Sequence, residues 1–248
     1  MLEAGGLDAV LICTPTRSHV ADAVFAAKAG LLSLVEKPPG TTPDQAAQLM
    51  ALTPAPRISF NRRFDPAISR LREDLSSGNA LHVGLELYYR RRGWDPFDMY
   101  DDALLDLGPH LIDLASWLTG ERIQRVQAKA LTSHRASFTA YMERSRATIV
   151  CSIDRPYTEH IVVEDARGRR LTRYHRGGIL SGILGRLGKS GANPLVESVV
   201  LQLEKFALAV EGKEAAPLGT AADGLAAMSA IQAVRRSAAR EGEICPVD

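Results

Sequence analysis

Cysteine is scarce in this sequence, and the residues that occur, Cys13, Cys151 and Cys245, lie far apart. They form no Cys-x-x-Cys pair and have no histidine at metal-ligand spacing, so the sequence predicts neither a metal site nor a disulfide framework. An odd, scattered set of cysteines is typical of a reducing compartment. We therefore expect a cytoplasmic protein.

Long apolar runs are missing as well. No stretch reaches the roughly 18 apolar residues of a membrane helix, and residues 1–6 lack the basic start of a signal peptide. We therefore expect neither export nor membrane insertion. With 30 Lys and Arg against 29 Asp and Glu, no long-range field favours nucleic acid or an anionic lipid surface. The short basic runs are interpreted as solvated faces: Arg90-Arg91-Arg92, Arg169-Arg170 and Arg235-Arg236.

The first 60 residues alternate between apolar runs and helix-forming stretches. A β-branched run over residues 8–13 is stopped by Pro15, which predicts a buried strand. Residues 18–29 are rich in helix formers and close on Gly30, and a second apolar run covers residues 31–35. Strand, helix and strand within about 30 residues form a βαβ unit, which implies a parallel sheet.

The pattern changes after Asn61. Residues 81–89 alternate between apolar and polar, and similar stretches follow without intervening helices, which indicates an antiparallel sheet. The further strands are predicted near 123–131, 136–141, 147–153 and 158–164, and the helices at 104–118, 194–211 and 222–240. The sequence thus predicts an α/β fold: a partial Rossmann module with a parallel βαβ unit (1–60), then an α+β domain with an open, mostly antiparallel sheet (61–248), its last helix packing back on the module.

Two of the predicted strands end in residues that can carry chemistry. Thr14-Pro15 with His19 follows the first strand, and Glu36-Lys37-Pro38 follows the second. Open α/β sheets bind their ligands at this carboxyl edge. A lysine there needs a partner for its ammonium, either Glu36 or a ligand oxygen. The alternative is that Lys37 extends into solvent from a turn.

A second cluster opens the helix predicted near residue 104. If that helix starts at Asp106, Pro109 falls in its first turn, and Asp106 and His110 share one face a turn apart. The carboxylate could then orient an imidazole that exchanges a proton with a substrate hydroxyl. Two alternatives stay open: Asp106 as a helix cap, and His110 as a buried residue bonded to the backbone.

A glycine-rich stretch over residues 177–191 imitates a phosphate-binding loop. That loop needs a glycine followed by four residues before Gly-Lys-Ser, and the required position before Gly188-Lys189-Ser190 holds Ile183. The phosphate-loop interpretation is therefore rejected in favour of a loop near the substrate pocket or a linker.

Taken together and in order, the motifs resemble the glucose-fructose oxidoreductase / inositol dehydrogenase / rhizopine catabolism family (Gfo/Idh/MocA) from end to end. They are Asp8-Ala9-Val10, Thr14-Pro15 with His19, Ala29-Gly30, Glu36-Lys37-Pro38, Asn61-Arg62-Arg63-Phe64-Asp65-Pro66, Asp106-x-Gly108-x-His110-x-x-Asp113 and Asp223-Gly224-Leu225. The resemblance implies an NAD- or NADP-dependent oxidoreductase that transfers hydride between the nicotinamide and a carbon of a sugar or cyclic polyol.

The resemblance also implies roles for individual residues. Lys37 would hydrogen-bond the reacting oxygen, His110 would exchange the proton, and Asp106 would position the substrate or His110. On the cofactor side, the resemblance implies that Thr14, Pro15 and His19 line the nicotinamide and that Glu36 lies close to its ribose. Lys37 is expected among the cofactor-binding residues as well.

For the substrate pocket, the resemblance places Arg63 at the domain junction facing the cleft. Trp94 and Tyr100, in the loop over residues 91–103, would shape the same pocket. Asp101-Asp102 stand where family members often carry glycines, which puts the shape of this loop in doubt. A homo-oligomer, either a dimer or a tetramer, is expected by family likeness.

One departure concerns the amino terminus. Family members begin with a strand, a Gly-x-Gly-x-x-Gly turn, a helix and a second strand, whereas this sequence starts at the next strand; about 60 residues are therefore expected to be absent. Since the missing turn binds pyrophosphate, an alternative stays open: a truncated, non-catalytic sugar-binding or oligomerising protein derived from such an enzyme.

Overall fold

Two sheets organise the computed structural model, which describes residues 5–75, 81–91, 101–177 and 194–248. The strands are β1 (Ala9–Ile12), β2 (Leu32–Glu36), β3 (Arg57–Ser59), β4 (Leu81–Arg90), β5 (Arg125–Leu131), β6 (Arg135–Tyr141), β7 (Arg146–Ser152), β8 (Asp154–Asp165), β9 (Arg170–Gly177), β10 (Gly219–Thr220) and β11 (Cys245–Pro246). The helices are α1 (His19–Lys28), α2 (Pro43–Met50), α3 (Pro66–Asp74), α4 (Ala103–Thr119), α5 (Pro194–Val210) and α6 (Ala221–Ala239).

The first sheet has the order β1-β2-β3-β10, with β1, β2 and β3 parallel and β10 antiparallel to β3. Local sequence explains its crossover helices. Gly30 adopts a φ of 73° after α1, a conformation that glycine takes without strain. At the start of α2, the Thr42 side chain accepts a hydrogen bond from Gln45 N and Pro43 occupies the first turn. The predicted parallel βαβ module is confirmed.

The second sheet has the order β11-β5-β6-β7-β4-β8-β9. Its β4–β7 pair is parallel and its other pairs are antiparallel, which confirms the mostly antiparallel sheet. The core-facing side of β4 carries the buried residues Leu81, Val83, Leu85 and Leu87. Four leucines of α4, spaced three or four residues apart, are buried in the same core: Leu107, Leu111, Leu114 and Leu118.

Helix α4 begins three residues earlier than the start considered at Asp106. The Asp102 carboxylate accepts a hydrogen bond of 2.8 Å from Leu105 N and caps the helix. The alternative that Asp106 is the cap is therefore wrong, and Asp106 lies inside the first turn. Helix α3 was not predicted; it follows an Asp65 cap with Pro66 in the first turn and buries only Ile68 and Leu71.

The last helix joins the two sheets. It contacts both α2 and β5, and Gly224 lies against Pro39 and Ile58 so closely that a methyl group there would come within 3.0 Å of Pro39. The Thr220–Asp223 capping box fixes its start next to β10. The division into residues 1–60 and 61–248 stays a prediction.

Gly219 in β10 provides a test of this packing. A methyl group at this position would lie 2.7 Å from the Ile58 carbonyl oxygen and 2.7 Å from Phe60 Cδ2. Gly219→Ala is therefore expected to lower the free energy of unfolding by about 1–3 kcal/mol through overpacking, measured by urea denaturation. Gly84→Ala is the matched control, because its methyl group would meet nothing nearer than 3.8 Å; an equal loss in both variants would contradict the packing.

The described residues give three further findings. None of their helices is both long enough and apolar enough to cross a membrane. They contain no group of three or more His, Cys, Asp or Glu side chains that could hold a metal ion. The three cysteines are free, with Cys13 exposed and Cys151 and Cys245 buried.

Candidate active site

Lys37 and Asp106 meet although they are far apart in the sequence. Lys37 follows the carboxyl end of β2, and its Nζ donates to the Asp106 main-chain oxygen and to Asp106 Oδ1, at 2.9 Å each. The two side chains are 18% and 7% exposed, so their ion pair lies largely out of solvent. The geometry joins the carboxyl edge of the parallel sheet to the first turn of α4.

The other carboxylate oxygen of Asp106 is also occupied. Tyr89 OH and Arg91 Nη2 each donate to Asp106 Oδ2, at 2.5 Å. Burial alone would raise the pKa of Asp106, but Lys37, Tyr89 and Arg91 together lower this pKa well below its ordinary value. Asp106 is therefore a carboxylate at every pH at which the protein is expected to work.

His110 lies one turn after Asp106 on the same face of α4. Burial lowers its pKa well below 6.5, and the positive charges of Lys37 and Arg62 lower it further, against the opposing effect of Asp106. The imidazole is thus neutral near neutral pH and can accept a proton. Its Nδ1 is buried without a hydrogen-bond partner among the described residues, so the alternative of a histidine satisfied by backbone lacks support.

Glu36 and His19 support the strand ends. The Glu36 carboxylate accepts a hydrogen bond of 2.7 Å from Ser59 Oγ, and that hydroxyl also lies 2.9 Å from Gln202 Oε1 of α5. The two ring nitrogens of His19 lie 2.8 Å from the Pro38 carbonyl oxygen and 2.7 Å from that of Thr14. The His19 ring thereby ties the end of β1 to the turn that carries Lys37.

Arg63 is turned toward protein acceptors. Its Nε donates to Asp113 Oδ2 at 2.9 Å, its Nη2 pairs with Asp113 Oδ1 and, at 3.2 Å, with Asp223, and its Nη1 donates to Pro217 O at 3.3 Å. The expectation that Arg63 faces the cleft and binds substrate does not fit this geometry. Because the guanidinium is held by two carboxylates and a carbonyl, we assign it to the junction between α4 and α6.

Trp94 and Tyr100 lie outside the described residues. The residues just after them are described, and both aspartates make specific contacts. Asp101 Oδ2 accepts a hydrogen bond of 3.0 Å from Thr16 Oγ1, and Asp102 forms an ion pair with Arg235 at 2.7 Å. Asp101 and Asp102, which depart from the family pattern, therefore connect the start of α4 to the first module and to the last helix.

Tyr89 and Arg91 were missed by the sequence analysis. Arg91 had been interpreted as part of a solvated basic run, yet its side chain is only 17% exposed. The signal for Tyr89 was the alternation of β4, in which every second residue from Leu81 to Leu87 is buried and Tyr89 follows at the same spacing. Arg62 was also missed; it pairs with Glu159 inside the protein.

Two family models match parts of this chain. Residues 1–55 match the model of the oxidoreductase family with an NAD-binding Rossmann fold, and residues 77–168 match the Gfo/Idh/MocA carboxyl-terminal domain. Among the structural neighbours, myo-inositol dehydrogenase from Lactobacillus casei, solved in complex with NAD(H) and myo-inositol, superposes with a TM-score of 0.77 at 20% identity. The superposition covers 100% of this chain and 79% of that one, and at this identity it shows the fold alone.

Two curated relatives are similar over part of their length. The rhizopine catabolism protein MocA of Rhizobium meliloti is 33% identical over 132 residues, which are 49% of this chain and 41% of the relative. Inositol 2-dehydrogenase of Corynebacterium glutamicum is 34% identical over 137 residues, 52% of this chain and 40% of the relative. The matched part thus spans about two fifths of these relatives. With both family models matched in order, the chain belongs to the Gfo/Idh/MocA family.

Proposed function

We propose that the protein is an NAD-dependent dehydrogenase that oxidises a carbinol of a cyclic polyol or sugar to the ketone, and catalyses the reverse reduction. The observation that carries this proposal is the ion pair between Lys37 and Asp106, one helical turn from a neutral His110. A fixed ammonium beside a neutral imidazole suits a reaction in which a hydroxyl loses its proton while its carbon loses hydride.

Each group has one task in this reaction. The His110 imidazole takes the proton from the substrate hydroxyl. The Lys37 ammonium donates a hydrogen bond to the same oxygen and stabilises its alkoxide character. Asp106 holds the ammonium in place through two acceptors at 2.9 Å. When bound, the nicotinamide supplies the acceptor for the hydride.

The chain's own residues fit the nicotinamide end of the cofactor. Thr14 and Pro15 are exposed at the carboxyl end of β1, beside the turn that carries Lys37, and His19 fixes the distance between the two. This edge is where open parallel sheets bind ligands. We assign the nicotinamide to Thr14 and Pro15 and its ribose to the neighbourhood of Glu36. NAD is preferred to NADP because the Lactobacillus casei neighbour was solved with NAD(H).

The remaining assignments follow the same family likeness. The relatives named inositol dehydrogenases favour a cyclic polyol as substrate. We propose a homo-oligomer that functions in the cytoplasm, with a cofactor module over residues 1–60 and a substrate module over residues 61–248.

Calorimetric titration with NAD⁺, NADH and NADPH, followed by NADH formation with myo-inositol, scyllo-inositol and simple glucosides, tests the proposal. We expect micromolar binding of NAD⁺ or NADH and turnover of at least one polyol. Binding of a polyol without binding of any nicotinamide cofactor would instead support a non-catalytic sugar-binding protein. Lys37→Met serves as the control for contaminating dehydrogenases, because its NADH formation should fall to background.

A further inference from the structure

Three donors from two parts of the fold make four hydrogen bonds with the Asp106 carboxylate and its main-chain oxygen. Lys37 directly follows β2, and its Nζ donates to Asp106 Oδ1 and to the Asp106 main-chain oxygen. At the end of β4, Tyr89 OH and Arg91 Nη2 donate to Asp106 Oδ2. Both carboxylate oxygens are therefore committed to protein donors.

The end of β4 is built to present these two donors together. Tyr89 is the last residue but one of β4 and Arg91 directly follows the strand, and both donate to Asp106 Oδ2. Tyr88, the neighbour of Tyr89 in the strand, faces the other side and interacts with Glu86. Arg91 is fixed at both ends: its main-chain N donates to Ile153 O at 3.0 Å and its Nη1 donates to Asp101 O at 2.9 Å. Burial raises the pKa of Tyr89 to about 12, so its phenol remains a donor throughout the working range.

We infer that Tyr89 and Arg91 are positioning residues, which hold the Asp106 carboxylate so that Oδ1 faces Lys37. The catalytic consequence of this inference rests on the proposed dehydrogenase function, whereas the hydrogen bonds to Asp106 do not depend on that function. Each carboxylate oxygen of Asp106 already accepts a hydrogen bond from a protein donor, so we assign this side chain to holding Lys37.

The physical reason is that an aspartate side chain rotates readily about its last bond. With Oδ2 held by Tyr89 and Arg91, rotation would break two short hydrogen bonds, so Oδ1 stays with Lys37. The positive charge of Arg91 also partly neutralises the negative charge of the Asp106 carboxylate. Without it, more of the negative charge of Asp106 would act on His110, which is faced by Lys37 from β2, Arg62 from the turn at residues 61–64 and Asp106 from its own helix.

Arg91→Met is the informative variant, with Tyr89→Phe as a milder one. Losing the guanidinium should raise the pKa of His110 by about one pH unit, read by NMR titration of the histidine ring protons with His110→Gln for assignment. It should also lower kcat by about 10- to 100-fold, with the KM for NAD⁺ unchanged, because misplacing a catalytic group by about 1 Å has an effect of this size.

Matched controls lie on the same strand. Arg90→Met removes an exposed arginine, and Tyr88→Phe removes a phenol from the opposite face; neither should move the pKa of His110 or kcat. Arg91→Lys retains the charge and should restore the pKa of His110 toward its wild-type value, which loss of fold could not mimic.

The two readouts separate this inference from the proposed function. A raised pKa of His110 in Arg91→Met, in a protein that turns over no polyol, would support the arrangement of donors while the dehydrogenase proposal fails. An unchanged pKa of His110 and an unchanged kcat in both Arg91→Met and Tyr89→Phe would overturn the inference, whatever the wild-type activity.

Discussion

Replacing Lys37 with methionine is expected to lower kcat by about 10³-fold, the scale of losing one preorganised donor to a developing oxyanion. Methionine keeps the length of the aliphatic chain and removes the ammonium, so no group remains to stabilise the substrate oxygen. The Asp106 carboxylate stays hydrogen-bonded to Tyr89 and Arg91, so the fold should persist. Steady-state kinetics with the polyol found active, together with circular dichroism, measure both effects.

The matched control for this variant is Lys28→Met, since Lys28 is exposed in the last turn of α1. Its kcat should equal that of the wild type. If Lys37→Met retained more than about a tenth of the wild-type kcat, an essential role for the ammonium would be refuted.

His110→Gln is expected to lower kcat by about 10²- to 10⁴-fold, the usual contribution of a positioned general base. Its second effect is on stability. Because burial lowers the pKa of His110 in the folded protein below 6.5, the unfolded chain binds more protons at this residue, and the free energy of unfolding falls as the pH drops below 6.5. This loss should be smaller in His110→Gln.

The difference between the wild type and His110→Gln isolates His110, because Asp113, with a raised pKa, and His82 and His160, with lowered pKa values, are present in both proteins. Asp106 also has a lowered pKa, but its stabilisation is lost only below its ordinary value of 3.8. Urea denaturation between pH 6.5 and mildly acidic pH therefore measures how the free energy of unfolding depends on pH in the wild type and in His110→Gln. His134→Gln, which changes an exposed histidine, is the control. Parallel stability curves for wild type and His110→Gln would mean that the imidazole is not held neutral.

Local signals were sufficient for most of the fold. The apolar runs of β1 and β2 and the glycine after α1 each depend on residues near one another in the sequence, so the sequence alone predicted them. The helix predicted from residue 104 begins at Ala103, so only the alternative start at Asp106 was wrong; by residue type, Asp102 and Asp106 are equally suitable caps. The Asp102 contact with Leu105 N decides between them.

The candidate site was predictable only in part. Lys37, Asp106 and His110 stand at a strand end and a helix start, which motif order identifies. The partners of Arg62 and Arg63 cannot be separated by sequence, because adjacent arginines pair with Glu159 and Asp113, 97 and 50 residues away. Arg91 was hidden within a basic run, and only its contacts with Asp101 and Asp106 distinguish it from exposed Arg90.

The most direct test is isotopic. A polyol deuterated at its carbinol carbons would be incubated with NAD⁺ and the wild-type chain, and the NADH formed would be analysed by mass spectrometry. Direct transfer beside Lys37 and His110 predicts NADH that is heavier by one deuterium, and no such product with Lys37→Met. A chain that binds both the cofactor and the polyol, yet forms no deuterated NADH, would contradict hydride transfer at this site.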